Sequence, residues 1–404
     1  MILAQVCGQW RKVALSTPLL WSSINILCSD KKQLVPLLNE RSETCPLNTR
    51  FNEYVSGSGA DKTDPDVSLR KPLTADIMSL LVDQTQRWKT IDLTLSRQLP
   101  AVLSRISPGS LPLLDTVSIM SRDATNENFC GMASLEKVWQ VIHSSTSLRS
   151  GRWELEYVEN HLDGIPWAQL TTIDITMSLE SLIKILPLFY NLVELRYTDP
   201  LAVYHPNALS LRVQSSDECH SDSRIVLPEV RSIVLRMYQP VNTVLDCLTL
   251  PALLSYDVQV CKGDTERSHI SSLRDLLTRS GCHLEVFTYD NLEPEAEDTI
   301  AEILSFPQLS SLVTLDVRHR TTDKLIGLLK RTSHERSILP RLKQLFLGPC
   351  STRSGALSGM ALSRQSIIDE IASLRILEVG RWDCHPLDLE CFQVLSDEGM
   401  YIRI

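Results

Sequence analysis

The stretch Leu339-Pro340-Arg341-Leu342-Lys343-Gln344-Leu345-Phe346-Leu347 sets the pattern from which the fold is read. After a proline turn comes an apolar residue, two others, an apolar residue, one other and an apolar residue. The last two apolar positions alternate with polar or outward ones, the period-two mark of a strand buried on one face. The same spacing recurs at Trp88-Ile91-Leu93, Leu114-Val117-Ile119, Leu170-Ile173-Ile175 and Leu192-Leu195-Tyr197. It continues at Val230-Ile233-Leu235, Leu253-Tyr256-Val258, Leu284-Phe287-Tyr289, Leu312-Leu315-Val317 and Leu374-Leu377-Val379, with a degenerate copy at Leu148-Gly151-Trp153.

Helical spacing fills the intervals. Thr74 is placed to cap a helix burying Ile77, Leu80 and Leu81. Further faces are Leu135-Val138-Ile142, Leu179-Leu182-Ile183-Leu186, Ile270-Leu273-Leu277 closed by Gly281, Ile300-Ile303-Leu304 and Leu325-Ile326-Leu329. Strand, helix, strand in repetition favours parallel strands with right-handed crossovers. A doubly wound sheet or an α/β barrel buries both strand faces and reads as continuous apolar runs. These strands alternate, so one face stays open. The copies lie roughly 22 to 38 residues apart, which overlaps the long end of leucine-rich repeats. The expected fold is an α/β leucine-rich-repeat-like solenoid: an irregular arc of parallel strands with helices on the outer side. Irregularity is expected because only Cys261 and Cys350 occupy the place where such repeats carry the Asn or Cys that bonds the turn backbone.

Composition narrows the function. The chain has 404 residues, 43% of them apolar and 22% charged, with net charge −9, the profile of a globular protein with ample core. No basic cluster exceeds a few residues, so a phosphate-binding groove and a nucleic-acid partner are not expected. The longest apolar stretch, Leu179 to Tyr190, holds Glu180, Lys184 and Pro187, too short and too polar to cross a bilayer. No cationic segment leads into an apolar one at the start, so no secretory signal is read. Eleven cysteines with no C-x-x-C pair read as reduced thiols of a cytoplasmic or nuclear protein. Cys219-His220, Cys282-His283 and Cys384-His385 are too scattered for a zinc site, so neither metal nor cofactor is expected.

No catalytic signature is present. Ser56-Gly57-Ser58-Gly59 lacks the Lys-Ser/Thr ending of a phosphate loop, and Asp61, Asp64 and Asp66 lack the remaining ligands of a calcium loop. His143, His161, His269, His319 and His334 show no sequence partner and are expected at the surface or in caps. Ser56 to Pro72 reads as a flexible linker, Ser351 to Gly359 as a long inter-repeat loop, and Gln214 to Arg224 as a weaker third such stretch.

The N-terminus carries the one specific motif. Val6, Cys7, Trp10, Val13 and Ala14 recur at helical steps, Arg11 lies among them and Leu15 follows, and Pro18 stops the helix before Leu20 and Trp21. The stretch Val6-Cys7-Gly8-Gln9-Trp10-Arg11, then Ala14-Leu15-Ser16-Thr17-Pro18-Leu19-Leu20-Trp21-Ser22-Ser23-Ile24, resembles the C-terminal half of an F-box. With the repeats behind it, the chain resembles the F-box and leucine-rich-repeat proteins abundant in mushroom-forming fungi. The Leu-Pro segment and first helix of the motif's N-terminal half are missing from this sequence.

The resemblance implies a non-catalytic substrate-recognition subunit of an SCF-type ubiquitin ligase. Its partners would be a Skp-type adaptor with its cullin complex and an unknown protein substrate. The adaptor-binding or cap residues would be Val6, Cys7, Trp10, Arg11, Leu15, Pro18, Leu20 and Trp21. The alternative is a leucine-rich-repeat scaffold in which this segment only caps the solenoid. Expected boundaries are 1–27 for the partial F-box, 28–86 for an N-terminal cap with its linker around 56–72, and 87–404 for the repeats. On the repeats, the outward strand positions Asp92, Asp174, Glu194, Arg196, Arg236, Asp257, Asp316, Arg318 and Glu378 form the expected partner-binding concave face.

Overall fold

The computed structural model describes residues 7–26, 33–52, 75–95, 99–121, 132–153, 164–200, 224–237, 241–260, 266–291, 296–331, 338–365, 372–380 and 385–404. The chain divides into two compact units, Met1–Met177 and Ser178–Ile404. The sequence carries no sign of that division.

In the first unit the strands are β1 (Ser23–Ile26), β2 (Leu47–Asn52), β3 (Trp88–Leu95), β4 (Thr116–Ser121), β5 (Ser150–Trp153) and β6 (Thr172–Thr176). Each pairs in parallel with the next in chain order. This sheet starts at Ser23, so its first two strands lie inside the stretches 1–27 and 28–86 assigned to the F-box remnant and the cap. The register lines up Ile24, Thr49, Ile91, Val117, Gly151 and Ile173 in one inward row. Gly151 explains the degenerate copy. A Cβ there would fall 1.8 Å from the Trp153 ring, which occupies the missing side chain's space. Trp153 packs with Trp139 at 5.8 Å and Trp167 at 6.1 Å and donates Nε1–H to His143 Nε2 at 3.3 Å.

The second unit contains β7 (Glu194–Thr198), β8 (Ser232–Met237), β9 (Ser255–Val260), β10 (Val286–Asn291), β11 (Thr314–Val317), β12 (Gln344–Leu347), β13 (Ile376–Val379) and β14 (Tyr401–Arg403). They too run parallel in chain order. Inward rows join Leu195, Ile233, Tyr256, Phe287, Leu315, Leu345 and Leu377, then Tyr197, Leu235, Val258, Tyr289, Val317, Leu347 and Val379. All of these are buried, whereas the alternate positions are mostly half-buried or exposed. Every copy of the repeat quoted above falls on a strand, in register with its neighbours. Each unit is therefore a leucine-rich-repeat-like α/β solenoid with one sheet face covered and one open.

Helices follow the expected faces. Residues 75–82 bury Ile77 and Leu81, Glu266–Ser280 buries Ile270, Leu273 and Leu277, and Ala296–Leu304 buries Ile300, Ile303 and Leu304. Gly281 closes the long helix at φ 60°, its N–H donating to Leu277 O at 3.1 Å. The loop expected at Ser351 to Gly359 is not one: Cys350–Ser351 pairs with Thr321–Thr322, and a helix runs from Ala356 to Ser363. Small residues had suggested flexibility, but Leu357, Met360 and Ala361 are buried there and hold the helix. The linker around 56–72 and nearly all of 214–224 lie outside the described residues, as do Thr74 and Cys261.

What replaces the missing turn-bonding Asn is a set of charged side chains that reach between repeats. In the first unit Arg87 donates to Cys45 O at 3.1 Å and to Ser42 Oγ at 2.6 Å, just past the helix Leu34–Arg41. In the second, Arg279 donates to Leu248 O at 2.6 Å and to Leu245 O. Arg364 donates to Leu329 O at 2.5 Å, Ile338 O at 2.7 Å and Leu339 O at 3.2 Å. Carboxylates serve the opposite helix ends. Glu297 accepts from Thr322 N at 2.8 Å and Leu325 N at 3.1 Å, and Asp388 from Gly355 N at 2.9 Å and Ser358 N at 3.0 Å. Cations at the ends of helices and anions at their starts match the helix dipole and satisfy its orphan backbone groups.

Candidate interaction surfaces

The N-terminal motif folds into a helix, Gly8–Leu15, and a 3-10 turn, Pro18–Trp21. Cys7 caps the helix, its Sγ accepting from Trp10 N at 3.5 Å. Thr17 Oγ1 donates to Val13 O at 2.7 Å and closes the other end. Trp21 is 5% exposed, its Nε1–H bonded to Ala14 O at 2.6 Å and its ring covered by the Arg41 guanidinium at 4.5 Å. Pro18 is half-buried. The other bulky side chains do not join this core. Trp10 is 53% and Leu20 51% exposed, and Leu15 is exposed as well. Val13 and Leu19, which sequence reasoning left out of the set, are also exposed. Helical spacing had grouped Trp10 and Val13 with Ala14; of these only Ala14 is buried. Val6 lies outside the described residues.

Arg11 and Lys12 flank Leu15 on one side of the helix, whereas Trp10 and Val13, three residues apart, share another, and residues 7–26 contain no Asp or Glu. Gly8, Arg11, Lys12, Leu15 and Ser16 line a shallow groove of about 450 Å³ along one side of the helix. The segment thus has two parts: Ala14 and Trp21 anchor it, and the remaining apolar side chains face outward beside two cations.

The second surface is the open sheet face of each unit. In the first, Arg50 is adjacent to Asp92 and bonds it at 3.1 Å, and Arg152 bonds Asp174 at 3.4 Å. The two arginines were not foreseen, and each pairs a predicted aspartate across one strand step. In the second unit Glu194 bonds Arg196 on its own strand at 2.7 Å, and Glu378 meets Arg403 at 3.8 Å. Arg318 bonds Asp316 at 3.0 Å and lies 3.9 Å from Asp257. Burial pulls the Arg318 pKa down, but Asp316 and Asp257 outweigh it and the net direction is up. The Asp257 and Asp290 carboxyls are raised by burial first, with Asp316 adding to it and Arg318 opposing. Asp290, Phe346 and Arg403 complete this face and were not anticipated. Phe346 is a large apolar residue at a position where polar ones alternate, a signal present in the sequence.

The histidines expected at the surface include buried ones. His269 stacks on Tyr289 at 6.3 Å with Nε2 3.5 Å from Tyr256 Oη, and His319 meets Tyr289 edge-on at 5.7 Å. Both are buried within an aromatic core that has room for flat rings, and burial lowers the pKa of each, His269 to about 4. His143 is lowered to about 4 for the same reason. His161 and His334 are outside the described residues. Cys282 is buried with its thiol pKa raised by burial, while His283 next to it is exposed, so the two point apart. Among the described residues no group of His, Cys, Asp and Glu is arranged to hold a metal, and no helix is long and apolar enough to cross a membrane.

Together, the folds define two solenoid units with open sheet faces and an outward apolar helix. No protein-family model matches the chain, and no curated protein matches it. Among solved structures it is similar to a chain in the crystal structure of the Rad7 and Elc1 complex in yeast. That likeness has 12% identity and a TM-score of 0.42, over 96% of this chain and 87% of that one.

Proposed function

We propose that this chain is a non-catalytic substrate-recognition subunit of an SCF-type ubiquitin ligase. The outward helix holds a Skp-type adaptor of the cullin complex, and the open sheet faces hold a protein substrate. The observation that carries this reading is the exposure of Trp10, Val13, Leu15, Leu19 and Leu20 within one short segment. Trp10 and Val13 share one helix face and Leu19 and Leu20 follow Pro18, so several large apolar side chains of one short segment are left in water, as at interaction sites. Their spacing is that of the F-box half quoted above. The chain acts in the cytoplasm, the nucleus or both.

The second reading is a repeat scaffold that does not bind the adaptor, and the burial of Trp21 favours it, since a pure cap needs only that anchor. Co-purification separates the two. Full-length chain should retain a Skp-type adaptor, and Trp10→Ala with Leu20→Ala should abolish retention without lowering the melting temperature. A chain that melts normally and retains no adaptor leaves the scaffold reading standing.

A further inference from the structure

One row of the second unit's open face differs in chemistry from its surroundings. Across β9 to β14 the register sets Asp257, Thr288, Asp316, Phe346, Glu378 and Arg403 side by side. The row beside it ends in Ile376 and Tyr401. Phe346 is half-buried on the uncovered face, with a carboxylate on the strand to either side. Paired strands lie about 4.8 Å apart, so a cation over that ring reaches both carboxylates. Arg318 engages Oδ2 of Asp316 and Arg403 approaches Oε2 of Glu378. The other oxygen of each carboxylate has no partner among the described residues. Among the described residues of this face, five carboxylates (Glu194, Asp257, Asp290, Asp316 and Glu378) meet four guanidiniums (Arg196, Arg236, Arg318 and Arg403), which leaves the anions one in excess.

We propose that this row docks an extended protein segment presenting an arginine beside an apolar side chain. The guanidinium stacks on Phe346 and donates to the open oxygens of Asp316 and Glu378, while the apolar side chain rests on Ile376 and Tyr401. The proposal rests on the reading that the open face binds protein substrate, and it names that substrate's chemistry. Arginine fits better than lysine because its planar fork stacks on a ring and donates in two directions at once. An acidic segment or a nucleic-acid backbone has the wrong sign for this face.

The test titrates the full chain with a short fluorescent peptide carrying a central Leu-Arg pair between Gly-Ser flanks. Leu-Lys, Leu-Gln and Leu-Glu versions run beside it, read by anisotropy at low salt. Leu-Arg should bind about tenfold more tightly than Leu-Gln, with Leu-Lys weaker than Leu-Arg and Leu-Glu not bound. Glu378→Gln and Phe346→Leu should each weaken Leu-Arg binding about fivefold, and added salt should weaken it further. Equal affinity for Leu-Arg and Leu-Gln, no binding of Leu-Arg, or indifference to both substitutions overturns the proposal. Equal affinity for Leu-Lys overturns the assignment to arginine. Glu378→Gln keeps the side chain's shape, so a folding defect in Phe346→Leu does not leave the question open. Adaptor retention by the same variants is scored separately: its absence in the unaltered chain counts against the ligase reading, not against this one.

Discussion

Arg364 offers the most demanding check on how these irregular repeats are held. Its side chain is 1% exposed, an unusual place for a cation, and its guanidinium serves three carbonyls of the preceding repeat, Leu329, Ile338 and Leu339. Hydrogen bonds to a charged group stabilise by about 1.5–3 kcal/mol each, so three come to about 5–9 kcal/mol if independent. Desolvation opposes this. Burial first and the Arg331 charge second pull the Arg364 pKa from 12.5 to about 10, which at roughly 1.4 kcal/mol per unit corresponds to about 3 kcal/mol. The net loss expected for Arg364→Met, which refills the volume but cannot donate, is therefore about 2–6 kcal/mol. Arg364→Lys, a point charge that cannot reach all three carbonyls together, should lie between Met and the unaltered chain.

Urea unfolding followed by far-UV circular dichroism measures the loss. Because the chain contains two compact units, a single transition is not assumed. Hydrogen exchange therefore gives the local readout, and protection should fall first over the helix Asp323–Leu329 and β12. If Arg364→Met unfolds within about 0.5 kcal/mol of the unaltered chain, desolvation has cancelled the bonds. The view that guanidiniums take the place of the turn-bonding Asn then fails.

Three further outcomes follow from the same packing. Trp21→Ala should cost about 3–5 kcal/mol because it empties a buried site, whereas Trp10→Ala, at an exposed one, should change stability by no more than about 0.5 kcal/mol; melting temperatures of the two decide whether the tryptophans have separate roles. His269 is neutral in the folded chain with its pKa near 4, against 6.5 ordinarily. As pH falls below 6.5 the unfolded chain takes up the proton first, so stability present above 6.5 is lost towards pH 4, by about 3 kcal/mol at most. His269→Phe should flatten that part of the dependence of the urea midpoint on pH. Gly151→Ala should destabilise by about 1–3 kcal/mol through overpacking against Trp153. Combined with Trp153→Val, which vacates the space, it should deviate from additivity by about 1 kcal/mol or more in a double-mutant cycle.

The repeat strands were legible because their inward residues are large and aliphatic or aromatic at fixed spacing. β1, β2 and β14 were not, for local reasons. The inward row of β2 is Leu47, Thr49 and Phe51, with a threonine where the pattern expects an aliphatic residue; β1 lies within the end of the N-terminal motif and has only Ile24 and Ile26 facing inward, and β14 is three residues long. The inter-repeat ties were also invisible. Arg87 reaches 42 residues back to Cys45, and Arg364 reaches 35 back to Leu329, separations that no short motif records. At the N-terminus, periodicity identified the helix, but an apolar stripe reads the same whether it faces a core or a partner. Only burial separates Trp21 from Trp10.

The two open faces, taken one at a time, argue for placing recognition in the second unit. In the first, the predicted aspartates are each matched by an arginine on an adjacent strand, Arg50 to Asp92 and Arg152 to Asp174. Such exposed pairs contribute about 0–1 kcal/mol each, and each carboxylate named here has its cation beside it. In the second, Arg318 is shared between Asp257 and Asp316, Asp290 lies within its field, and an aromatic ring interrupts the polar row between Asp316 and Glu378. Phe346 is half-buried on the open sheet face, in one row with Asp316 and Glu378. Its neighbours along the row are carboxylates, with Ile376 in the row beside, so apolar burial alone does not account for the charges set around it. Binding a cation does, and this is why the Phe346 and Glu378 variants, rather than the salt-bridged arginines of the first unit, are the decisive ones.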